Sequence, residues 1–220
     1  MLERIIEVAP EIWLALGQTL IMLVVAIPLA VLFGTPLGIL LYLIGPKGLH
    51  HQPLLHKILD TSVNIVRSFP FLILLIAIIP LTRLLVGTSL GTAAVCVPLT
   101  LNAIPYFARF VEQNLTQLGD GTVEAALAMG AKPRQIITDV LLVDARPALV
   151  TSITIMTVSF ISYSAMAGLV GGGGIGDFAI RYGYYRYETP LMVVAIILMI
   201  ALVSLVQFSG ARLSRYLDKR

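Results

Sequence analysis

The sequence predicts an all-α integral membrane protein of five transmembrane helices, with its N-terminus outside and its C-terminus in the cytoplasm. Hydrophobic residues make up 58% of the chain and charged residues only 12%, and the mean hydropathy is +0.93. Water-soluble domains do not have this composition. Residues 12–46, 84–108, 147–176 and 189–211 contain no Asp, Glu, Lys or Arg, and each can cross a hydrocarbon core needing about 20 helical residues. Lys and Arg also fall unevenly on the two sides of these spans.

The first span is placed at 12–43. It exceeds a perpendicular crossing, and Pro28 and Pro36 each remove a backbone hydrogen bond, so a tilted, kinked helix is expected. Gly34 and Gly38 form a small-residue face that another helix can approach, or that serves local packing alone. The second span, 55–80, contains Asp60 near its start and Arg67 within it. The third, 84–108, holds Cys96, the single cysteine, which is expected to pack and excludes an intrachain disulfide. A cytoplasmic loop fills 109–146, and the last spans occupy 147–170 and 189–211. The whole chain, 1–220, reads as one transmembrane domain.

Orientation follows from the basic residues near the span ends. Arg212, Arg215, Lys219 and Arg220 put the tail inside, with Lys47, Lys57, Arg109, Lys132, Arg134 and Arg146 on the same side. Arg4, Arg83, Arg181 and Arg186 fall outside, where Glu3, Glu7 and Glu11 outnumber Arg4. The N-terminus lacks a basic leader and its apolar stretch is too long for a signal core, so the first span is expected to be retained. The net charge of +3 is dispersed over loops, which argues against nucleic-acid binding.

The loop from Arg109 to Arg146 holds nine charged residues and is the one cytoplasmic segment large enough to fold by itself. Asp120 or Thr122 can cap a short helix there, Glu124 sits in its first turn near the positive dipole end, and Gly130 suits its C-terminus. Pro133 suits the first turn of a second helix. With Ala125, Ala126 and Ala128 the first helix is smooth enough to enter a groove on another protein. Alanine is also simply a good helix former, and a solvated surface helix satisfies the same residues.

Arg67 is a strong charge inside a span, where such groups must reach the interface, pair or face water. It can snorkel, pair with Asp60 through intermediaries, or meet a substrate carboxylate, and it shares a helix face with Asn64. Structural anchoring is favoured. Met166, beside Ser164 and flanked by Ala165, Ala167 and Gly168, suits a gate in a translocation pathway, and interhelical packing suits it as well. The Gly171–Gly174 run has no following Lys-Ser or Lys-Thr, so it reads as a tight turn rather than a phosphate loop. Tyr182, Tyr184, Tyr185 and Tyr187 read as an interfacial aromatic belt. No metal site is expected.

Glu124-Ala125-Ala126, three residues, then Gly130, on a cytoplasmic loop before a late span, resembles the signature loop of bacterial ABC importer permeases. Val140 and Leu142 continue the family pattern, but Val143 stands where the family has proline, with Pro147 a little later. Arg67-Ser68-Phe69-Pro70-Phe71 resembles the Arg-Ser-Ile-Pro-Phe stretch of methionine importer permeases. Tyr163 to Gly168, Gly171 to Asp177 and Ala179 to Tyr184 are very like their fourth-span and outer-loop sequence.

The resemblance implies the type I importer permease fold and a non-catalytic subunit for methionine, L- and D-, or a closely related amino acid. It implies a homodimer in the bacterial inner membrane, surrounded by lipid. Two ATPase subunits would sit on the cytoplasmic face and a methionine-binding (lipo)protein outside. It assigns ATPase coupling to Glu124, Ala125, Ala126, Gly130, Ala131 and Pro133, and outer docking to Gly172, Gly173, Gly174 and Asp177. No cofactor is expected in this chain, which has no P-loop; ATP and magnesium would belong to the partner ATPase. The alternative is a self-sufficient secondary transporter or channel, which calls for intramembrane carboxylates or histidines and often for repeats. Asp60 is the one acid read as near a span interior, with His50, His51 and His56 read as loop residues, and no repeat is apparent. An intramembrane hydrolase has little support, since Ser159, Ser162 and Ser164 have no histidine in a span to activate them.

Overall fold

The structure, a computed structural model, describes residues 2–118 and 120–218. Lys219 and Arg220 of the basic tail, and the side chain of Asp120, lie outside the described residues. In chain order the helices are α1 (Leu2–Glu7), α2 (Ala9–Ile44), α3 (Pro53–Ser68), α4 (Phe71–Ala77), α5 (Ile79–Val86), α6 (Thr92–Gln117) and α7 (Asp120–Ala128). There follow α8 (Pro133–Gln135), a π-helix (Ile136–Leu141), α9 (Leu142–Asp144), α10 (Arg146–Ala167), a 3₁₀ turn (Gly168–Val170), α11 (Gly174–Phe178), a second π-helix (Ala179–Tyr185) and α12 (Thr189–Leu217).

Among the described residues four helical segments, Ala9–Ile44, Thr92–Gln117, Arg146–Val170 and Thr189–Leu217, are long and apolar enough to cross a membrane, and the bent pair α3 and α4 makes up to five. The second span is therefore not the straight helix read over 55–80. Pro70 has no N–H to continue α3 and disfavours helical backbone at Phe69, and its carbonyl instead starts α4 by accepting from Ile73 at 2.9 Å and Leu74 at 3.0 Å. The third span also shifts, from 84–108 to Thr92–Gln117. Residues 84–86 belong to α5, which Gly87 ends at φ +80°. At its other end α6 runs through Arg109 and Glu112, so the loop read over 109–146 opens as helix. By contrast α2 stays helical through Pro28 and Pro36.

The chain packs as two compact units, to each of which the long helices contribute segments. The first comprises Met1–Pro28, Phe69–Ala103 and Thr157–Gln207. Its core gathers Val8, Ile12, Ala15, Ile175, Phe178, Tyr182, Leu191 and Ala195. Phe71 stacks on Tyr163 with ring centroids 5.0 Å apart, and Cys96 is buried and free.

The second unit comprises Leu29–Ser68, Ile104–Met156 and Phe208–Arg220. The Gly34/Gly38 face does have a defined partner there, α6. A Cβ at Gly34 would stand 2.8 Å from the Ile104 carbonyl oxygen, and one at Gly38 2.6 Å from Val111 Cβ and closer still to the Ala108 oxygen. Glycine lets the two backbones meet. The α10 and α12 segments of this unit are joined by Ser214, whose hydroxyl lies 3.0 Å from Thr151 Oγ1 and donates to Pro147 O at 2.9 Å.

Candidate functional site

In the second unit, α7 begins at Asp120, so Thr122 lies inside its first turn rather than capping it. Its C-terminus is closed by two reversed hydrogen bonds, from Gly130 N to Leu127 O at 2.9 Å and from Ala131 N to Ala126 O at 3.0 Å. This is the Schellman arrangement, which requires a left-handed residue. Gly130 supplies it at φ +80°. Pro133 then starts α8, and the Gln135 side chain reaches back to accept from the Lys132 N–H at 2.9 Å.

The second helix of the loop departs from the expected form. It widens into the π-helix Ile136–Leu141, against which α7 packs, and is interrupted at Ala145, two residues before Pro147. Ala126, Ile136 and Leu141 are buried. Ala126 thus turns inward, at 2% exposure, and packs within the loop. Glu124, Ala125, Ala128 and Gly130 are exposed. Leu127 (49% exposed) and Met129 (81%) project with them. Sequence reasoning missed these two apolar side chains, although apolar residues inside a polar loop were the available signal.

Also in this unit, Asp60 and Asn64 on α3 meet Arg109 and Glu112 on α6. Arg109 donates to Asp60, to Glu112 Oε2 at 2.6 Å and to Asn64 Oδ1 at 2.9 Å, while Asn64 donates to Asp60 at 3.1 Å. Asn64, read with Arg67 as a pathway candidate, is thereby part of the ion-pair network between α3 and α6. Arg67 does not join Asp60. Its guanidinium carbon lies 5.4 Å from the centre of the Tyr106 ring, a cation–π contact that supports anchoring. His56 lies on α3 rather than in a loop, with Nε2 3.5 Å from Glu112 Oε1. His56, Asp60 and Glu112 could bring three ligand atoms together, yet Arg109 already neutralises both carboxylates and a metal ion would have to displace it.

In the first unit Ser164 is buried and donates to Ile161 O of its own helix at 2.7 Å. Met166 on the same helix is 47% exposed on the chain surface, available either to a gate or to packing against another chain. The glycine run folds inward. Gly174 N donates to Gln18 Oε1 at 2.8 Å and Ile175 N to Thr19 Oγ1 at 2.9 Å, so the first donors of α11 are taken by side chains of α2. Gly174 adopts φ +86° with no space for a Cβ beside Thr19 Oγ1. Gly172 and Gly174 are buried, and Asp177 accepts from Arg181 at 2.7 Å. Gly172 and Gly174 thus shape the loop from within, while Gly173 and Asp177 stay half-buried. Gln18 and Thr19, a polar pair inside an apolar span, were the legible sign of this lock.

A clamp closes beside it. Arg4 holds Glu188 through two hydrogen bonds of 2.9 and 3.0 Å, and the Tyr182 hydroxyl donates to Glu11 at 2.6 Å. The Arg4 hydrogen bonds hold the Glu188 carboxyl below its ordinary range, and the bond to Glu11, with burial, raises the Tyr182 phenol above 10.0. The two directions give opposite limits. Glu188 contributes stability above the ordinary carboxylate range and loses it as pH falls through its lowered value; Tyr182 contributes below 10.0 and loses it as pH rises through its raised value. Amide-exchange protection of 179–189 is expected to hold from about pH 5 to 9 and to fall on both sides. With Arg4→Gln the acid limb should vanish while the alkaline limb remains.

The sequence pattern of the binding-protein-dependent transport system inner membrane components matches residues 34–220. The chain belongs to this family. The permease is 48% identical to the probable D-methionine transport system permease protein MetI of Vibrio cholerae, over 94% of this chain and 92% of that protein. It is 36% identical to the methionine import system permease protein MetP of Bacillus subtilis, over 96% and 95%. An inward-facing structure of the MetNI methionine ABC transporter superposes on this permease with a TM-score of 0.94 at 40% identity, covering 97% of this chain and 99% of that one. An amino acid ABC transporter shares the fold alone, at 15% identity and a TM-score of 0.80. The permease is a multi-pass inner-membrane protein with the type I importer fold.

Proposed function

We propose that this chain is the membrane-spanning subunit of an ATP-driven importer of methionine, working as a pair of identical permeases. Two ATPase subunits engage α7 from the cytoplasm, and a binding protein delivers the amino acid from outside. The observation that carries the coupling step is the projecting surface of α7. Glu124, Ala125, Ala128 and Met129 stand out on a short helix whose end is fixed by the Gly130 turn. A rigid projection transmits displacement, where a flexible loop would absorb it. Closure of the ATPases on ATP draws the two α7 helices together and tilts the spans toward an outward-open arrangement, and hydrolysis resets them.

The test is reconstitution in proteoliposomes with the ATPase and the binding protein, following labelled L- and D-methionine. Uptake should require all three components and ATP. Uptake by the permease alone, driven by an ion gradient, would establish a secondary carrier instead.

A further inference from the structure

We propose that Arg67 binds the α-carboxylate of the transported amino acid as it passes along the exposed polar edge of α3. This rests on the reading of the chain as a methionine importer and adds a binding step inside the permease. Arg67 lies in the bent pair that can make the fifth span, and it makes no ion pair or hydrogen bond among the described residues. Its Nε is the one buried side-chain nitrogen or oxygen among them without a partner. The Tyr106 ring, 5.4 Å from the guanidinium carbon, anchors the side chain on one face but supplies no counter-charge. A guanidinium held at such a place calls for water or for an anion that comes and goes.

The face beside it suits water. Lys57, Thr61, Asn64 and Ser68 succeed one another every three or four residues and are all exposed, which lines them up along one edge of α3. Ile58 and Ile65, each 54% exposed, stand on the neighbouring apolar edge. A continuous polar row on a spanning helix faces a wet route rather than lipid tails.

Charge favours an amino acid over a simple anion. One turn of α6 below Tyr106, Arg109 is shared by the Asp60 and Glu112 carboxylates. With His56 neutral that group carries excess negative charge, and Lys57 bonds neither carboxylate among the described residues. The edge therefore offers a cation beside an anionic group, as a zwitterion offers a carboxylate beside an ammonium. A lipid phosphate meets the same cation but is repelled by its neighbour.

The experiment uses the permease–ATPase complex in nanodiscs, with single cysteines placed on α3 and read by a water-soluble thiol reagent. Cys96, the one native cysteine, is buried and gives little background. Thr61→Cys and Ser68→Cys should react several times faster than Ile65→Cys. L-Methionine should slow the reaction of Thr61→Cys, whereas methioninol, which keeps the ammonium and lacks the carboxylate, should not. Adding Arg67→Gln should raise the half-protecting methionine concentration about tenfold or more, with the unprotected rate and the recovery of ATPase as before. Arg67→Lys keeps the charge without the forked donor and should fall between. A merely anchoring arginine would leave protection unchanged. The methioninol comparison keeps Arg67 in place, so it stands even where a variant fails to assemble. Equal protection by methioninol, protection indifferent to Arg67→Gln, Thr61→Cys no more reactive than Ile65→Cys, or protection set by phosphatidylglycerol in the nanodisc would each overturn the assignment while leaving the importer reading intact. A wild-type complex without ATP-driven methionine uptake would overturn both.

Discussion

On the proposed coupling role of α7, Ala125→Trp is expected to separate the ATPase from the permease. Ala125 is exposed on α7, so a bulky ring there meets nothing within the permease yet fills the space a docked partner needs. Loss of a central contact costs about 2 kcal/mol or more, about 30-fold in affinity. Purification in mild detergent should yield folded permease depleted of ATPase, and ATP-dependent uptake should fall in proportion. Gly130 provides the contrast. A Cβ there meets nothing within 4 Å, but its φ of +80° strains any β-branched residue. Gly130→Asn, which tolerates that backbone, should retain the ATPase, whereas Gly130→Val should disturb the turn. Equal ATPase recovery with Ala125→Trp and with wild type would remove α7 as the coupling surface.

Arg109→Leu is expected to cost the fold about 3–5 kcal/mol, because it leaves two carboxylates facing each other in a partly enclosed space. The Asp60, Arg109 and Glu112 side chains are 31%, 13% and 11% exposed. The variant should accumulate poorly and unfold at markedly lower temperature in detergent. Arg109→Lys keeps the charge but cannot bridge three acceptors in one plane, so it should fall between. Replacing Asp60, Arg109 and Glu112 together by apolar residues of similar volume should recover much of the loss. Thermal unfolding of Arg109→Leu at the wild-type temperature would show that the network does not hold α3 to α6.

The network also shows where sequence reading stops. Arg109 and Glu112 look like the start of a loop because charge usually ends a span. In the structure Arg109 is met by Asp60 from a segment 49 residues away and by Glu112 one turn along its own helix, and α6 continues past them to Gln117. The segment around α7 was more legible because its determinants are local. Glycine at a left-handed position, proline at a helix start and small residues between them act within one or two turns. Even there the inward turn of Ala126 depends on the π-helix it packs against.

By itself the sequence determined that the chain lives in a membrane, that it is helical, and that its loop before α10 carries a short helix closed at Gly130. Apolar run length, backbone preference and the placement of glycine and proline are properties of neighbouring residues. Only the tertiary structure decided that α3 and α4 are separate helices, that Gln18 and Thr19 take the first donors of α11, and that Arg4 grips Glu188 ahead of α12. The last two depend on hydrogen bonds and ion pairs between residues more than 150 apart in the chain, Gln18 with Gly174 and Arg4 with Glu188. No local pattern specifies such a partner, because the physical requirement is only that a polar group in an apolar setting be satisfied, and the fold selects which group satisfies it.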